Sequence, residues 1–108
     1  MEFNAKVLLL KKVEKTWIDE VAVVTSVSDM RALIGDDITQ VNLSKYEKVY
    51  YSPDSIGVRG EVSAMVKDVD GDRHFMGDIL LLVECNDEKP VDITEETLTK
   101  IKEAIELY

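Results

Sequence analysis

The pattern of apolar and polar residues between positions 61 and 83, which alternates on either side of a turn signal as far as position 78, predicts a β-hairpin. Asp70-Gly71 separates two apolar-rich runs, and Asp-Gly is a strong hairpin signal because a type I′ turn needs positive φ at both central residues. The resulting register pairs Val66 with Phe75 and gives the hairpin one apolar face. That face carries Val62, Ala64, Val66, Phe75 and Ile79, and the opposite face carries Ser63, Met65, Lys67, His74, Met76 and Asp78.

Residues 79–83 break this alternation, because all five are apolar. A strand that is apolar on both faces is typical of the centre of a covered sheet. The pattern therefore predicts that the second strand of the hairpin runs on into the middle of the sheet.

The remaining apolar runs predict further short elements. Residues 3–13 and 17–24 form a hairpin, with residues 21–24 apolar on both faces. Residues 38–43 and 48–52 form two short strands. A short helix is capped by Ser26 or Ser28, has a buried stripe and ends at Gly35. That stripe consists of Val27, Met30, Leu33 and Ile34.

A second helix over residues 95–108 begins at the N-cap Thr94 and buries Leu98, Ile101, Ile105 and Tyr108. The predicted fold is a single α+β domain over residues 1–108. It has a largely antiparallel sheet of about five to six strands, a central Asp-Gly hairpin, one short internal helix and a C-terminal helix packed on the sheet.

The net charge of −9 is distributed unevenly along the chain. Residues 1–48 carry eight acidic and seven basic side chains, whereas residues 49–108 carry fourteen acidic and six basic ones. Residues 84–96 hold six acids and only Lys89 as a base. Such a field repels nucleic-acid phosphates and anionic lipid, so we expect neither direct nucleic-acid nor membrane binding. A basic protein surface is the complementary partner; the alternative is that the acidity only maintains solubility.

Motifs for catalysis and for metal binding are incomplete. Residues 68–72 resemble a calcium loop, but alignment on Gly71 puts Val66 and Gly77 at the two end ligand positions. His74 is the only histidine, and no nucleophile, base and orienting group are spaced as a set. We therefore expect no metal, no cofactor and no enzymatic activity. Cys85 is the only cysteine, which excludes an internal disulfide and fits the reducing cytoplasm.

Several short segments are similar to those of small acidic proteins of unknown function from phages and other mobile elements. They are Leu33-Ile34-Gly35, residues 38–43, Gly77-Asp78-Ile79 and Ile93-Thr94-Glu95-Glu96. Some members of that group are viral anti-defence proteins, including CRISPR inhibitors. The resemblance implies an inhibitor of a host nucleic-acid-handling defence system.

For that function the candidate partner-binding residues are Asp70, Asp72, Asp87, Glu88, Asp92, Glu95 and Glu96. The alternative hypothesis is a binding or sponge protein for a small, nucleotide-type ligand. Its pocket would lie between the sheet and loop 53–60, with Arg59 and Arg73 as the cations. The sequence leaves the oligomeric state open.

Overall fold

The computed structural model describes residues 3–35, 37–51, 64–68, 71–75, 77–87 and 89–108, with the side chain of Asp68 left out. The two helices in these ranges are α1 (Val27–Ile34) and α2 (Glu95–Glu103). The strands are β1 (Ala5–Val13), β2 (Thr16–Val24), β3 (Thr39–Asn42), β4 (Glu47–Tyr51), β5 (Ala64–Asp68), β6 (Gly71–Phe75), β7 (Ile79–Asn86), β8 (Lys89–Val91) and β9 (Ile105–Leu107). The predicted mixed α+β class, with antiparallel sheets and a C-terminal helix, is confirmed.

Six strands form the main sheet, in the order β2-β1-β7-β4-β3, with β8 pairing with β7 on the same side as β1. Every pairing is antiparallel. β7 lies at the centre, and four consecutive residues have no exposed surface: Leu80, Leu81, Leu82 and Val83. The prediction that residues 79–83 form a central strand buried on both faces is confirmed.

The 61–83 segment does not form one hairpin within that sheet. β5 and β6 belong to a separate three-stranded sheet of order β6-β5-β9, and the chain then crosses to β7 in the main sheet. Val66 pairs with Arg73 and Ala64 with Phe75, so the predicted Val66–Phe75 pairing is wrong by two residues. His74 consequently faces Met65 and not Lys67.

Asp68 pairs with Gly71, so Gly71 already belongs to β6 and is not a central turn residue. Shifting the pairing of β5 with β6 by two residues leaves each side chain on its predicted face, because side chains in a strand point to the same face at every second residue. Ala64, Val66 and Phe75 are therefore still buried together. Phe75 makes an edge contact with the Tyr51 ring of the main sheet, with ring centroids 5.1 Å apart, which anchors this register.

The main sheet is covered on both faces. On one face α2 and the three-stranded sheet pack against it, and on the other face α1 does so. The first core contains Leu8, Leu10, Val41, Val49, Ala64, Val66, Phe75, Leu80, Leu82 and Ile101. The second contains Ala5, Val7, Leu9, Val24, Met30, Ile34, Leu81, Val83 and Cys85. Tyr51 packs in the first core and Tyr50 in the second, because neighbouring residues of a strand point to opposite faces.

The helix starts follow their capping residues. The Ser26 hydroxyl accepts a hydrogen bond from the Asp29 N–H, and Thr94 accepts one from the Thr97 N–H. α1 ends before Gly35, whose φ of 128° is readily adopted only by glycine.

α2 is shorter than predicted, because residues 105–107 form β9 on the open edge of β5. Ile105 pairs with Val66, so strand pairing replaces the last predicted turn of the helix. Ile105 and Tyr108 therefore do not belong to the helical stripe, whereas Ile101 is fully buried.

Residues 21–24 are apolar on both faces, but the structure buries only one face of this segment. β2 is an edge strand, and Val21 and Val23 are 68% and 57% exposed. The C-terminal segment reaches only the start of this strand, where the Trp17 indole N–H donates to the Tyr108 carbonyl (3.0 Å). Lys102 Nζ lies 2.7 Å from the Asp19 carboxylate, and the valines lie farther along the strand.

Candidate functional site

Acidic side chains collect at the end of the main sheet where β7 stops and β8 and α2 begin. We call this group the acidic end, and it consists of Glu47, Glu84, Asp87, Asp92, Glu95 and Glu96. Glu84 pairs with Glu47 on one side and with Val91 on the other, which places the starts of β4 and α2 beside the last residues of β7. Asp87 is three residues from Glu84, within about 11 Å along the chain. The strand order therefore brings residues from three elements to one end.

Two of these carboxylates accept hydrogen bonds from other groups of the protein. Glu84 Oε1 accepts hydrogen bonds from the Thr94 N–H (3.0 Å) and from the Thr94 hydroxyl (2.9 Å). Partial burial alone would raise the pKa of Glu84, but hydrogen bonds from Thr94 and Thr97 outweigh it and lower that pKa. The Glu47 carboxylate accepts a hydrogen bond from the Ser44 hydroxyl. Both groups are thus occupied within the fold.

Asp92 also has a structural role that the sequence did not indicate. Its Oδ1 accepts a hydrogen bond from the Lys6 N–H (2.8 Å), and the Ile93 N–H donates to the Lys6 carbonyl (2.9 Å). This pair of bonds ties the segment before α2 to β1. Asp92 is exposed, as a binding residue should be, but its carboxylate also stabilises the join between β1 and α2.

Asp87, Glu95 and Glu96 are exposed members of the acidic end. Asp87 has a φ of 51° in the turn after β7, a conformation that Asp and Asn tolerate better than most residues. Glu95 and Glu96 occupy the first turn of α2, where the helix dipole favours negative charge. Glu96 also lies 3.5 Å from Lys100 Nζ, one turn along the helix. All three side chains are exposed, and their binding role stays a prediction.

Two other predicted site residues, Asp72 and Arg73, lie on β6 in the three-stranded sheet. Asp72 is exposed on β6 opposite Lys67, in the three-stranded sheet. Asp70, Glu88, Arg59 and the whole of loop 53–60 lie outside the described residues. Arg73 lies on β6 opposite Val66.

A cleft of about 370 Å³ lies beside α1, over the β3–β4 side of the main sheet. Its apolar lining consists of Phe3, Val27, Met30, Ile38 and Pro90. Gln40 and Tyr50 supply its polar groups. Burial, with a smaller contribution from Cys85, raises the pKa of Tyr50 to about 12, so its hydroxyl stays protonated and able to donate a hydrogen bond.

Sequence reasoning missed this cleft. The feature of the sequence that could have indicated this cleft is the short length of the first helix. Eight helical residues span about 12 Å, which is too short to cover a face of several strands.

Within the described ranges, no group of three or more His, Cys, Asp or Glu side chains is arranged to hold a metal ion. No helix in those same ranges is long and apolar enough to cross a membrane. Comparison with known proteins found no matching family model, no matching curated protein and no matching solved structure.

Proposed function

We propose that the protein is a non-enzymatic interaction protein whose acidic end binds a basic surface on another protein. The observation that supports this most strongly is the pairing of exposed and anchored carboxylates at one end of the sheet. Asp87, Glu95 and Glu96 are exposed, while Glu84 and Asp92 fasten the segment that leads into α2 and so carries Glu95 and Glu96. If the acidity served only solubility, the positions of the charged side chains would not need to be fixed by the backbone.

A fixed backbone matters for binding because ordering a surface during association costs free energy. Charged side chains on a backbone that is already ordered require less further ordering when a partner docks. Exposed charges of one sign also steer an oppositely charged protein and raise its association rate. Residues 84–96, with six acids and one base, provide such a field.

The partner expected from this chemistry is a protein with a basic surface. Enzymes that handle nucleic acids carry such surfaces, because they bind phosphate. The resemblance to phage anti-defence proteins is consistent with a host defence enzyme as that partner. A net charge of −9 disfavours direct binding of the nucleic acid itself.

A matched pair of variants tests the proposal in an affinity capture from nuclease-treated bacterial lysate. Asp87→Asn with Glu95→Gln removes two exposed charges from the acidic end, and Asn tolerates the positive φ of residue 87. Glu103→Gln with Glu106→Gln removes two exposed charges elsewhere and leaves the same net charge. Quantitative mass spectrometry then compares the proteins that each immobilised variant retains.

We expect a basic protein to be retained by the parent and by the Glu103/Glu106 variant, and to be depleted from the Asp87/Glu95 variant. Thermal unfolding of all three proteins separates a loss of binding from a loss of structure. Equal retention by the two variants would contradict the proposal, because net charge alone would then explain the binding.

The cleft beside α1 supports a second candidate function, the binding of a small uncharged molecule. Its volume falls within the range of ligand pockets, and its lining combines apolar side chains with the Tyr50 hydroxyl and the Gln40 amide. Among the residues that the structure describes, no cation lines it, so this cleft does not favour the nucleotide-type ligand expected from the sequence.

Ligand-detected NMR with a set of uncharged aromatic fragments tests this second candidate. Val27→Trp should block the cleft, whereas Val13→Trp adds the same side chain at a similarly exposed site on β1. Fragments should bind the parent and the Val13 variant but not the Val27 variant. Absence of binding to the parent, or equal binding by all three, would contradict it.

A further inference from the structure

β2 has an edge that pairs with no other strand in the described part of the chain. The backbone of β1 shows which β2 groups lie along that edge. The N–H groups of Lys6 and Lys12 bond to residues on the β7 side of β1, so the even-numbered residues of β1 face away from β2. The odd-numbered residues of β1 therefore face β2, and they pair with its even-numbered residues. The N–H and C=O groups of Trp17, Asp19, Val21 and Val23 consequently point away from the sheet.

The side chains along this edge are apolar or already paired. Ile18, Val21 and Val23 are at least half exposed. The two carboxylates of the strand lie close to lysines of the same chain. Asp19 is 2.7 Å from Lys102 Nζ, and Glu20 is 3.6 Å from Lys11 Nζ. A nine-residue edge with exposed valines and no proline or lysine lacks the usual protection against strand pairing.

We propose that β2 pairs antiparallel with β2 of a second copy of this chain, with the two-fold axis at Val21. Val21 then faces its own copy, Asp19 faces Val23, Glu20 faces Ala22, and Ile18 faces Val24. No two like charges lie opposite each other in this register. A two-fold axis at Asp19 or at Glu20 would place identical carboxylates face to face, which is unfavourable. An axis at Ala22 avoids that contact but shortens the overlap of the strands.

The charge distribution favours a second copy over a basic partner at this edge. Residues 1–48 carry a net charge of only −1, so two copies repel each other weakly here. β2 and β7 run in the same direction, since each is antiparallel to β1. Antiparallel pairing of two copies therefore places their acidic ends at opposite ends of the joined sheet. The proposed dimer leaves both acidic ends accessible.

Pairing of a single edge buries less surface than a standard stable interface, so we expect monomer and dimer in a concentration-dependent equilibrium. Sedimentation velocity over a dilution series of the parent measures that equilibrium. Val21→Lys places two lysines opposite each other at the axis and should abolish the dimer. Val13→Lys makes the same change at an exposed valine of β1, outside the paired strands, and should leave dimerisation intact.

Cysteine cross-linking tests the register independently of that result. In the proposed dimer the two Val21 Cα atoms are about 5.5 Å apart, within the range of a disulfide. The two Val23 residues are four positions out of register, so their Cα atoms are about 14 Å apart. Under mild oxidation Val21→Cys should form a covalent dimer and Val23→Cys should not, while the native Cys85 is buried. A parent that stays monomeric over the whole series, or equal cross-linking by the two variants, would overturn the proposal.

Discussion

Backbone conformation at single residues determines where β1 and β2 turn. Glu14 and Lys15 form the two-residue loop between Val13 and Thr16, and their φ angles are 49° and 72°. Positive φ at both positions is what a type I′ turn requires, and glycine or asparagine usually supplies it. Here the turn forms with two long charged side chains, because the extensive pairing of β1 with β2 fixes the register.

We expect Lys15→Gly to stabilise the protein. Positive φ costs a residue with a Cβ about 1–2 kcal/mol. The greater freedom of glycine in the unfolded chain offsets part of this gain, which leaves about 0.5–1 kcal/mol of added stability. Urea denaturation measures the change. Lys12→Gly, within β1, should destabilise the protein instead, and a loss of stability in both variants would contradict the account of the turn.

At the scale of elements, local sequence signals predicted the structure where the determining contacts are local. Ser26 and Gly35 delimit α1, and Thr94 starts α2, because capping depends on residues within one turn. β9 was missed because it forms against β5, which lies some forty positions earlier in the chain. The exposure of Val21 was missed for a related reason, since strand order is not encoded in the pattern of one strand.

The candidate site likewise combines features that depend on neighbouring residues with features that depend on residues far away in the sequence. Asp87, Glu95 and Glu96 became candidates because they belong to the acidic run at residues 84–96, which is a local signal. The role of Asp92 depends on Lys6, which lies 86 residues earlier, and no local pattern could have revealed it. Neutralising Asp92 therefore tests stability as well as binding, and the variants chosen for binding leave it intact.

We expect Ile101→Ala to destabilise the protein by about 2–5 kcal/mol, because Ile101 has no exposed surface between α2 and the main sheet. Urea denaturation followed by far-UV circular dichroism measures the loss. Leu107→Ala removes a large aliphatic side chain that is 39% exposed and serves as the control. Equal losses in the two variants would show that α2 does not cover the core.

The bonds between Glu84 and Thr94 should make part of the stability depend on pH. The pKa of Glu84 in the folded protein lies below its ordinary value of 4.5, because the hydrogen bonds favour the carboxylate. The stabilisation is then fully present above pH 4.5 and is lost as the pH falls through the lowered pKa. A double-mutant cycle of Glu84→Gln and Thr94→Ala, measured at pH 7 and near pH 3, tests this. The coupling should be favourable at pH 7 and smaller at acid pH, and a coupling that is unchanged by pH would contradict it.

Across the whole molecule, charge and apolar surface are separated. The acidic end lies where β7 stops, and the apolar edge of β2 lies along one side of the same sheet. The two surfaces therefore suit different partners, a basic protein at the end of the sheet and a second copy at its edge. Substitutions at Asp87 should not change self-association, and substitutions at Val21 should not change binding at the acidic end.

The most direct test of the acidic end is the salt dependence of association with a captured basic protein. Exposed charges are screened over about 8 Å at physiological ionic strength, so electrostatically steered association slows as salt rises. Stopped-flow measurements should show this slowing for the parent and for the Glu103/Glu106 variant. The Asp87/Glu95 variant should associate more slowly at low salt and should respond less to added salt. Identical rates and identical salt dependence for the two variants would contradict the account, because the position of the charges would then have no effect on binding.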